Sequence, residues 1–86
     1  MKYLKLSNGT IWEDGYLIRV ETRIFLYIPG GDMKTVFDQL IDPANTAAIS
    51  YKDGPDEQVF EGFTRLTAVN DEGDRMVTAV LRKEAA

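Results

Sequence analysis

Two tight-turn dipeptides lie within ten residues near the N-terminus. The stretch SNGTIWEDGY, residues 7 to 16, places only four residues between Asn8-Gly9 and Asp14-Gly15. Such dipeptides favour type I′ turns, which join neighbouring antiparallel strands through two-residue loops. The chain must therefore reverse direction twice, and the N-terminal part is predicted to be a three-stranded antiparallel meander.

The two turns imply one register for this meander. Pairing outward from Asn8-Gly9 places Leu6 opposite Ile11, and pairing outward from Asp14-Gly15 places Ile11 opposite Ile18. Residues that are opposite each other in a sheet share a face. Leu6, Ile11 and Ile18 are therefore predicted to form one apolar row.

The third strand of the meander is predicted from the period-two pattern between Tyr16 and Ile28. Its core face would carry Ile18, Val20, Thr22, Ile24, Leu26 and Ile28. Its other face would carry Leu17, Arg19, Glu21, Arg23, Phe25 and Tyr27. At about 3.3 Å per residue a straight strand would reach roughly 40 Å. That length is too great for a domain of this size, so a bend is expected between residues 21 and 23.

A single amphipathic helix is predicted after this strand. Asp32 is a good N-cap, and Asp42-Pro43 ends the pattern. The predicted apolar stripe consists of Met33, Val36, Phe37, Leu40 and Ile41.

After the helix, apolar and polar residues again alternate with a period of two, as in strands. Strands are predicted over residues 48–52, 58–69 and 75–82, with a bulge at Gly62, and the tail 82–86 is expected to fray. The predicted fold class is α+β: an antiparallel sheet, strongly curved or partly barrel-like, in the order β-β-β-α-β-β-β, with the helix packed on it. Residues 1–86 are expected to form a single domain.

Composition excludes several function classes. The chain has no cysteine and no histidine, which removes disulfides, thiolate chemistry and the commonest general base and metal ligand. A formal net charge of -4 opposes binding to nucleic acid, and no apolar run is long enough for a transmembrane helix. We expect no catalytic, cofactor-binding or metal site, and a cytoplasmic location in a bacterial host or a place in a virion.

Three motifs have weak functional interpretations. Residues 30–35, GGDMKT, lack phosphate-loop spacing and are better explained as a capped helix start. The acidic turns at 52–57 and 70–74 do not follow a calcium-loop pattern and are typical of plain turns. Glu21 and Glu61 are the carboxylates that could support a hydrolase.

An aromatic surface is the more informative feature. On the second face of the predicted meander, the register groups Lys5, Trp12, Leu17, Phe25 and Tyr27. Clustered aromatic residues on a sheet face that the helix does not cover are typical of a protein interface. The alternative is a folded-over sheet in which these residues form a second small core.

Four segments carry a resemblance to a known group of proteins. They are Lys5 to Thr10, Leu40 to Thr46, Phe60 to Leu66 and Val80 to Lys83, with Phe63 where tyrosine is more usual. In these segments the chain resembles small proteins encoded in the structural-gene regions of phages and prophages of gut bacteria. The resemblance implies an accessory or structural role without catalysis.

The leading hypothesis is therefore a non-catalytic, phage-associated protein that assembles with itself, as a homo-oligomer, or with other phage structural proteins. An acidic inhibitor or decoy that binds a basic host protein is the alternative, suggested by the net charge and the acidic turns. An unrecognised hydrolase is the third hypothesis.

Overall fold

The computed structural model describes residues 1–84. Its elements are β1 (Lys2–Lys5), β2 (Ile11–Glu13), β3 (Tyr16–Val20), β4 (Arg23–Pro29), α1 (Met33–Leu40), α2 (Pro43–Thr46), β5 (Ala48–Asp53), β6 (Glu57–Glu61), β7 (Arg65–Asp71) and β8 (Met76–Arg82). The predicted α+β class with antiparallel pairing is confirmed. The predicted order is wrong, because four strands precede the helices and four follow them.

The strands form two separate four-stranded sheets. The first sheet has the order β2-β1-β5-β6, and the second has the order β3-β4-β8-β7. Neither sheet closes or curls strongly, so the prediction of one strongly curved or barrel-like sheet is wrong. β3 lies against β1 and β5, β2 lies against β4, and α1 lies against β7. The core between these layers contains Leu4, Leu6, Leu17, Ile24, Leu26, Ile28, Val36, Leu40, Ile49, Phe63, Val77, Ala79 and Leu81.

The first hairpin has a three-residue loop where two residues were predicted. The Leu6 amide donates to the Thr10 carbonyl, and Lys5 lies opposite Ile11. Gly9 has a φ of 91°, as the left-handed residue of a three-residue hairpin loop requires. One extra loop residue shifts the register by one and exchanges the two faces of β2. Ile11 is therefore exposed, whereas Leu6 is buried.

The second predicted hairpin, at Asp14-Gly15, joins two sheets instead of two neighbouring strands. β2 belongs to the first sheet and β3 to the second, so the three-stranded meander is wrong. Asp14 has a φ of 61°, while Gly15 is outside the left-handed region. Because β2 and β3 are not paired, the predicted row of Leu6, Ile11 and Ile18 does not exist.

The long strand predicted over residues 16–28 is a hairpin made of β3 and β4. The chain reverses at Glu21, with a φ of 55°, and Thr22, and Val20 pairs with Arg23. Because the chain reverses here, the residues of β3 that face the core are the opposite set to the predicted one: Leu17 is buried and Ile18 is exposed. In β4 the residues that face the core are the predicted ones.

The strand predicted over residues 58–69 is also two strands. Residues 62–64 carry the chain from the first sheet to the second, and Gly62 has a φ of 86° at this crossing. The register irregularity lies between Leu66 and Ala68, not at Gly62. Lys83 and Glu84 donate backbone hydrogen bonds to Thr22 and Gly62, so fraying is not observed through residue 84. Residues 85 and 86 lie outside the described residues.

The helix prediction is largely confirmed. α1 begins after Asp32 and ends before Asp42, although only Val36 and Leu40 of the predicted stripe are buried. The short α2, capped by Asp42, was not predicted. No helix among residues 1–84 is long and apolar enough to span a membrane.

The Asp32 cap makes helix stability depend on pH. The backbone N–H and the hydroxyl of Thr35 both donate to the Asp32 carboxylate at 3.0 Å. These bonds, the backbone one first, lower the pKa of Asp32 below its ordinary value. A lowered pKa in the folded state means that the stabilisation is present above the ordinary pKa and is lost as pH falls through the folded one.

We therefore expect Asp32→Ala to lower the melting temperature at pH 7 and to have little effect near pH 2. Asp32→Asn is the matched control, because asparagine caps helices about as well as aspartate but does not titrate. Thermal unfolding followed by circular dichroism across this pH range tests the expectation. If Asp32→Ala lowered the melting temperature equally at pH 7 and near pH 2, the expectation would be contradicted.

Candidate protein interface

The side of the second sheet that faces away from the first sheet is here called the outer face. Cross-strand pairing places one apolar residue from each strand in a single row on this face: Ile18, Phe25, Val80 and Ala68. Val20 lies beside this row on β3. Phe25 is half-buried, whereas Ile18 and Val20 are 46% and 51% exposed. The apolar exposure is therefore concentrated on β3, at the edge of the sheet.

Two of the three aromatic residues of the outer face, Tyr16 and Tyr27, have partners within the chain. The rings of Tyr16 and Tyr27 stack with their centroids 4.5 Å apart. The Lys2 ammonium lies 4.7 Å from the centroid of the Tyr16 ring. A groove of about 450 Å³ lies beside these rings, and Glu72, which accepts a hydrogen bond from Thr78, lines its far end. Tyr16 and Tyr27 therefore make defined contacts at one end of the face, whereas Ile18 and Val20 on β3 stay about half exposed.

The structure brings together only two of the five residues predicted to form an interface. Phe25 and Tyr27 lie on the outer face as predicted. Leu17 belongs to the core, and Lys5 is exposed on the first sheet. Trp12 packs partly against the core and lines a different cleft, between β2 and the start of α1. The grouping is wrong because it depended on the meander register.

Ile18 and Val20 lie on the surface, although the period-two pattern predicts them in the core. The pattern fails here because residues 16–28 form two strands and not one. The polar triplet Glu21, Thr22 and Arg23 was the available signal, since the excess strand length already required a change of direction there. Its composition lacks the glycine or asparagine that usually marks a tight hairpin.

A second apolar surface lies on the exposed side of α1. It consists of Met33, Phe37 and Ile41, which are between 43% and 52% exposed, and is here called the helix ridge. A groove of about 240 Å³ separates the ridge from Leu66 and Val69 of β7. Since β7 and β3 are the opposite edge strands of the second sheet, the helix ridge and the exposed part of β3 lie on opposite sides of the molecule.

Three arginines form a row at one end of the outer face. Arg82 pairs with Arg23 on one side and with Arg65 on the other, and all three are exposed. Like charges directly opposite each other in a sheet are destabilising. This end of the face is therefore positive although the whole chain carries a net charge of -4.

The motifs with possible chemistry lie apart from one another. Asp32 caps α1 at the glycine-rich segment, which confirms the prediction of a capped helix start. Glu21 lies in the β3–β4 turn and Glu61 at the end of β6, and both are exposed. Within residues 1–84, no group of three or more aspartate or glutamate side chains lies close enough together to hold a metal ion.

Comparison with known proteins finds no similar protein. No protein-family model, no curated protein and no solved structure matches the chain. The resemblance to phage and prophage proteins, carried by the four segments given above, therefore stays a prediction.

Proposed function

We propose that the chain is a non-catalytic structural or accessory protein of a phage or prophage, and that it acts by assembling with copies of itself. The observation that supports this proposal best is the presence of two apolar surfaces on opposite sides of one small domain. Isolated exposed apolar residues are normal on soluble proteins, but grouped ones favour an interface.

The size of the domain makes such contacts a large part of its surface. The accessible surface is 5230 Å², and a standard interface covers roughly 800 Å² on each partner. One contact would therefore cover about a seventh of the molecule. Two contacts on opposite sides allow each copy to touch two neighbours, as a building block of a ring or a larger assembly does.

The assembly part of the proposal is tested by the mass of the protein in solution. We expect size exclusion with light scattering to show a multiple of the 9.7 kDa chain mass, and we expect Phe37→Lys on the helix ridge to reduce that mass. Val59→Lys is the matched control, because Val59 is 52% exposed on β6, outside both apolar surfaces. A wild-type monomer at every concentration from micromolar to millimolar would contradict self-assembly.

The phage context has a separate test. Genes for tail or capsid proteins are expected beside the gene for this chain, and the chain is expected in purified particles by mass spectrometry. Its absence from particles, together with unrelated neighbouring genes, would remove the phage part of the proposal and leave the assembly part standing.

A further inference from the structure

The two sheets differ in how their edge strands are protected against pairing with another chain. Natural edges are protected by short length, charges, bulges or covering elements. β2 has only three residues, and β6 has Glu57 and Glu61 at its two ends. β7 has the irregularity between Leu66 and Ala68 and lies against α1. β3 lies against β1 and β5, and its one charged residue, Arg19, has its guanidinium over the Phe63 ring. Its five residues are in unbroken register, with no proline, no charged residue at either end and no bulge, so by length and register it is the least protected edge.

The hairpin geometry determines which backbone groups of β3 point outward. The two-residue turn Glu21–Thr22 closes on the pair Val20 and Arg23. In a hairpin with such a loop the closing pair exchanges hydrogen bonds, and bonded and non-bonded pairs then alternate along the strand. The N–H and C=O groups of Leu17 and Arg19 therefore point away from β4, toward the free edge.

We propose that two copies of the chain join through this edge, with β3 antiparallel to β3 of the partner and a two-fold axis at Ile18. This inference rests on the proposed self-assembly and describes one of its two contacts, the one on the β3 side. Leu17 then lies opposite Arg19 of the partner subunit. Both residues have outward backbone groups, so each such pair can exchange two backbone hydrogen bonds. The two second sheets become one continuous eight-stranded sheet.

The side chains fit this register. On the outer face Ile18 meets Ile18 of the partner subunit, and Tyr16 lies opposite Val20 of the partner subunit, so both exposed aliphatic side chains gain apolar neighbours. On the inner face the Arg19 guanidinium lies 5.8 Å from the centroid of the Phe63 ring, so it turns toward its own core.

Charge and strand overlap together favour this register over the two neighbouring registers that keep the same hydrogen-bonding pattern. A shift by two residues in one direction places Arg19 directly opposite Arg19 of the partner subunit, which is unfavourable. A shift in the other direction shortens the overlap of the two five-residue strands. The two-fold axis also places the two rows of Arg23, Arg65 and Arg82 at opposite ends of the joint sheet.

Single cysteines test this register directly, because the chain contains no cysteine of its own. Opposite residues in a non-bonded antiparallel pair have Cα atoms about 4.5 Å apart, within disulfide range. We expect Ile18→Cys to form a disulfide-linked dimer under mild oxidation. The fraction of chains in this dimer should be at least ten times that of Val20→Cys. The two copies of residue 20 would be roughly 13 Å apart along the strands, which is too far for a bridge.

Hydrogen exchange of the wild-type protein gives a second measurement that does not depend on a variant folding. The amides of Leu17 and Arg19 are expected to exchange more slowly as protein concentration rises, while the amides of β6 do not change. Concentration-independent exchange at both residues would overturn the β3 contact.

The outcomes separate this inference from the proposed function. A wild-type oligomer, together with crosslinking of the Ile18→Cys variant and none of the Val20→Cys variant, supports the β3 contact. A wild-type oligomer for which both variants crosslink, or for which neither does, overturns the β3 contact while self-assembly stands. A wild-type monomer at all concentrations overturns self-assembly and the β3 contact together.

Discussion

Phe63→Ala is expected to lower the free energy of unfolding by about 3–5 kcal/mol. Phe63 is buried, at 2% exposure, in the segment that carries the chain from the first sheet to the second. Its ring meets Phe60 edge to face at 6.4 Å and lies 5.8 Å from both the Arg19 guanidinium and the Lys83 ammonium. Truncation therefore removes core volume, an aromatic pair and two cation–π contacts at once.

This loss is large for a small domain, whose total stability is typically about 5–15 kcal/mol. Urea unfolding, followed by circular dichroism at one fixed protein concentration, measures it. Phe60→Ala is the matched control. Because Phe60 is only half-buried, this substitution should lower the free energy of unfolding clearly less. If the two variants were equally stable, Phe63 would not be the residue that holds the crossing segment to the core.

Gly15→Ala is expected to destabilise the protein by about 1–3 kcal/mol, through crowding and not through backbone conformation. An added Cβ at Gly15 would lie 2.9 Å from Cδ1 of Leu4 and 3.2 Å from the carbonyl oxygen of Trp12. Leu4 is fully buried, and the Trp12 oxygen belongs to the backbone, so neither can move away at small cost.

Asp14→Gly separates crowding from conformation at this turn. Asp14 has the positive φ of 61°, a conformation that glycine adopts more readily than aspartate. We therefore expect Asp14→Gly to leave stability unchanged or to increase it slightly, while Gly15→Ala lowers it. The same denaturation experiment compares the two. Destabilisation by Asp14→Gly with no effect of Gly15→Ala would show that the fold accommodates the added methyl group and that the Asp14 side chain stabilises the turn.

The sites that the sequence predicted well are those that depend on neighbouring residues. The Asp32 cap, the end of α1 before Asp42-Pro43 and the left-handed Gly9 all follow from local conformational preferences. The alternation of β4 was also right, so Phe25 was correctly placed on the outer face. These features need no knowledge of which strands pair.

The candidate interface was predicted only in part. Phe25 and Tyr27 were found from the sequence, but Ile18 and Val20 were assigned to the core. Their faces depend on the reversal at Glu21–Thr22, whose composition also suits a strand or an exposed loop. The arginine row was not predicted, because it requires the partners of three strands that are far apart in the sequence.

The sequence alone determined several local elements: the first helix, its N-cap at Asp32, its end before Asp42-Pro43 and the inward side of β4. Only the tertiary structure decided that β2 and β3 belong to different sheets and that one loop has three residues instead of two. The physical reason is the two-residue period of a strand. A register change of one residue exchanges its faces, and contacts between distant segments determine that register. The same contacts determine that β3 is an edge strand of the second sheet.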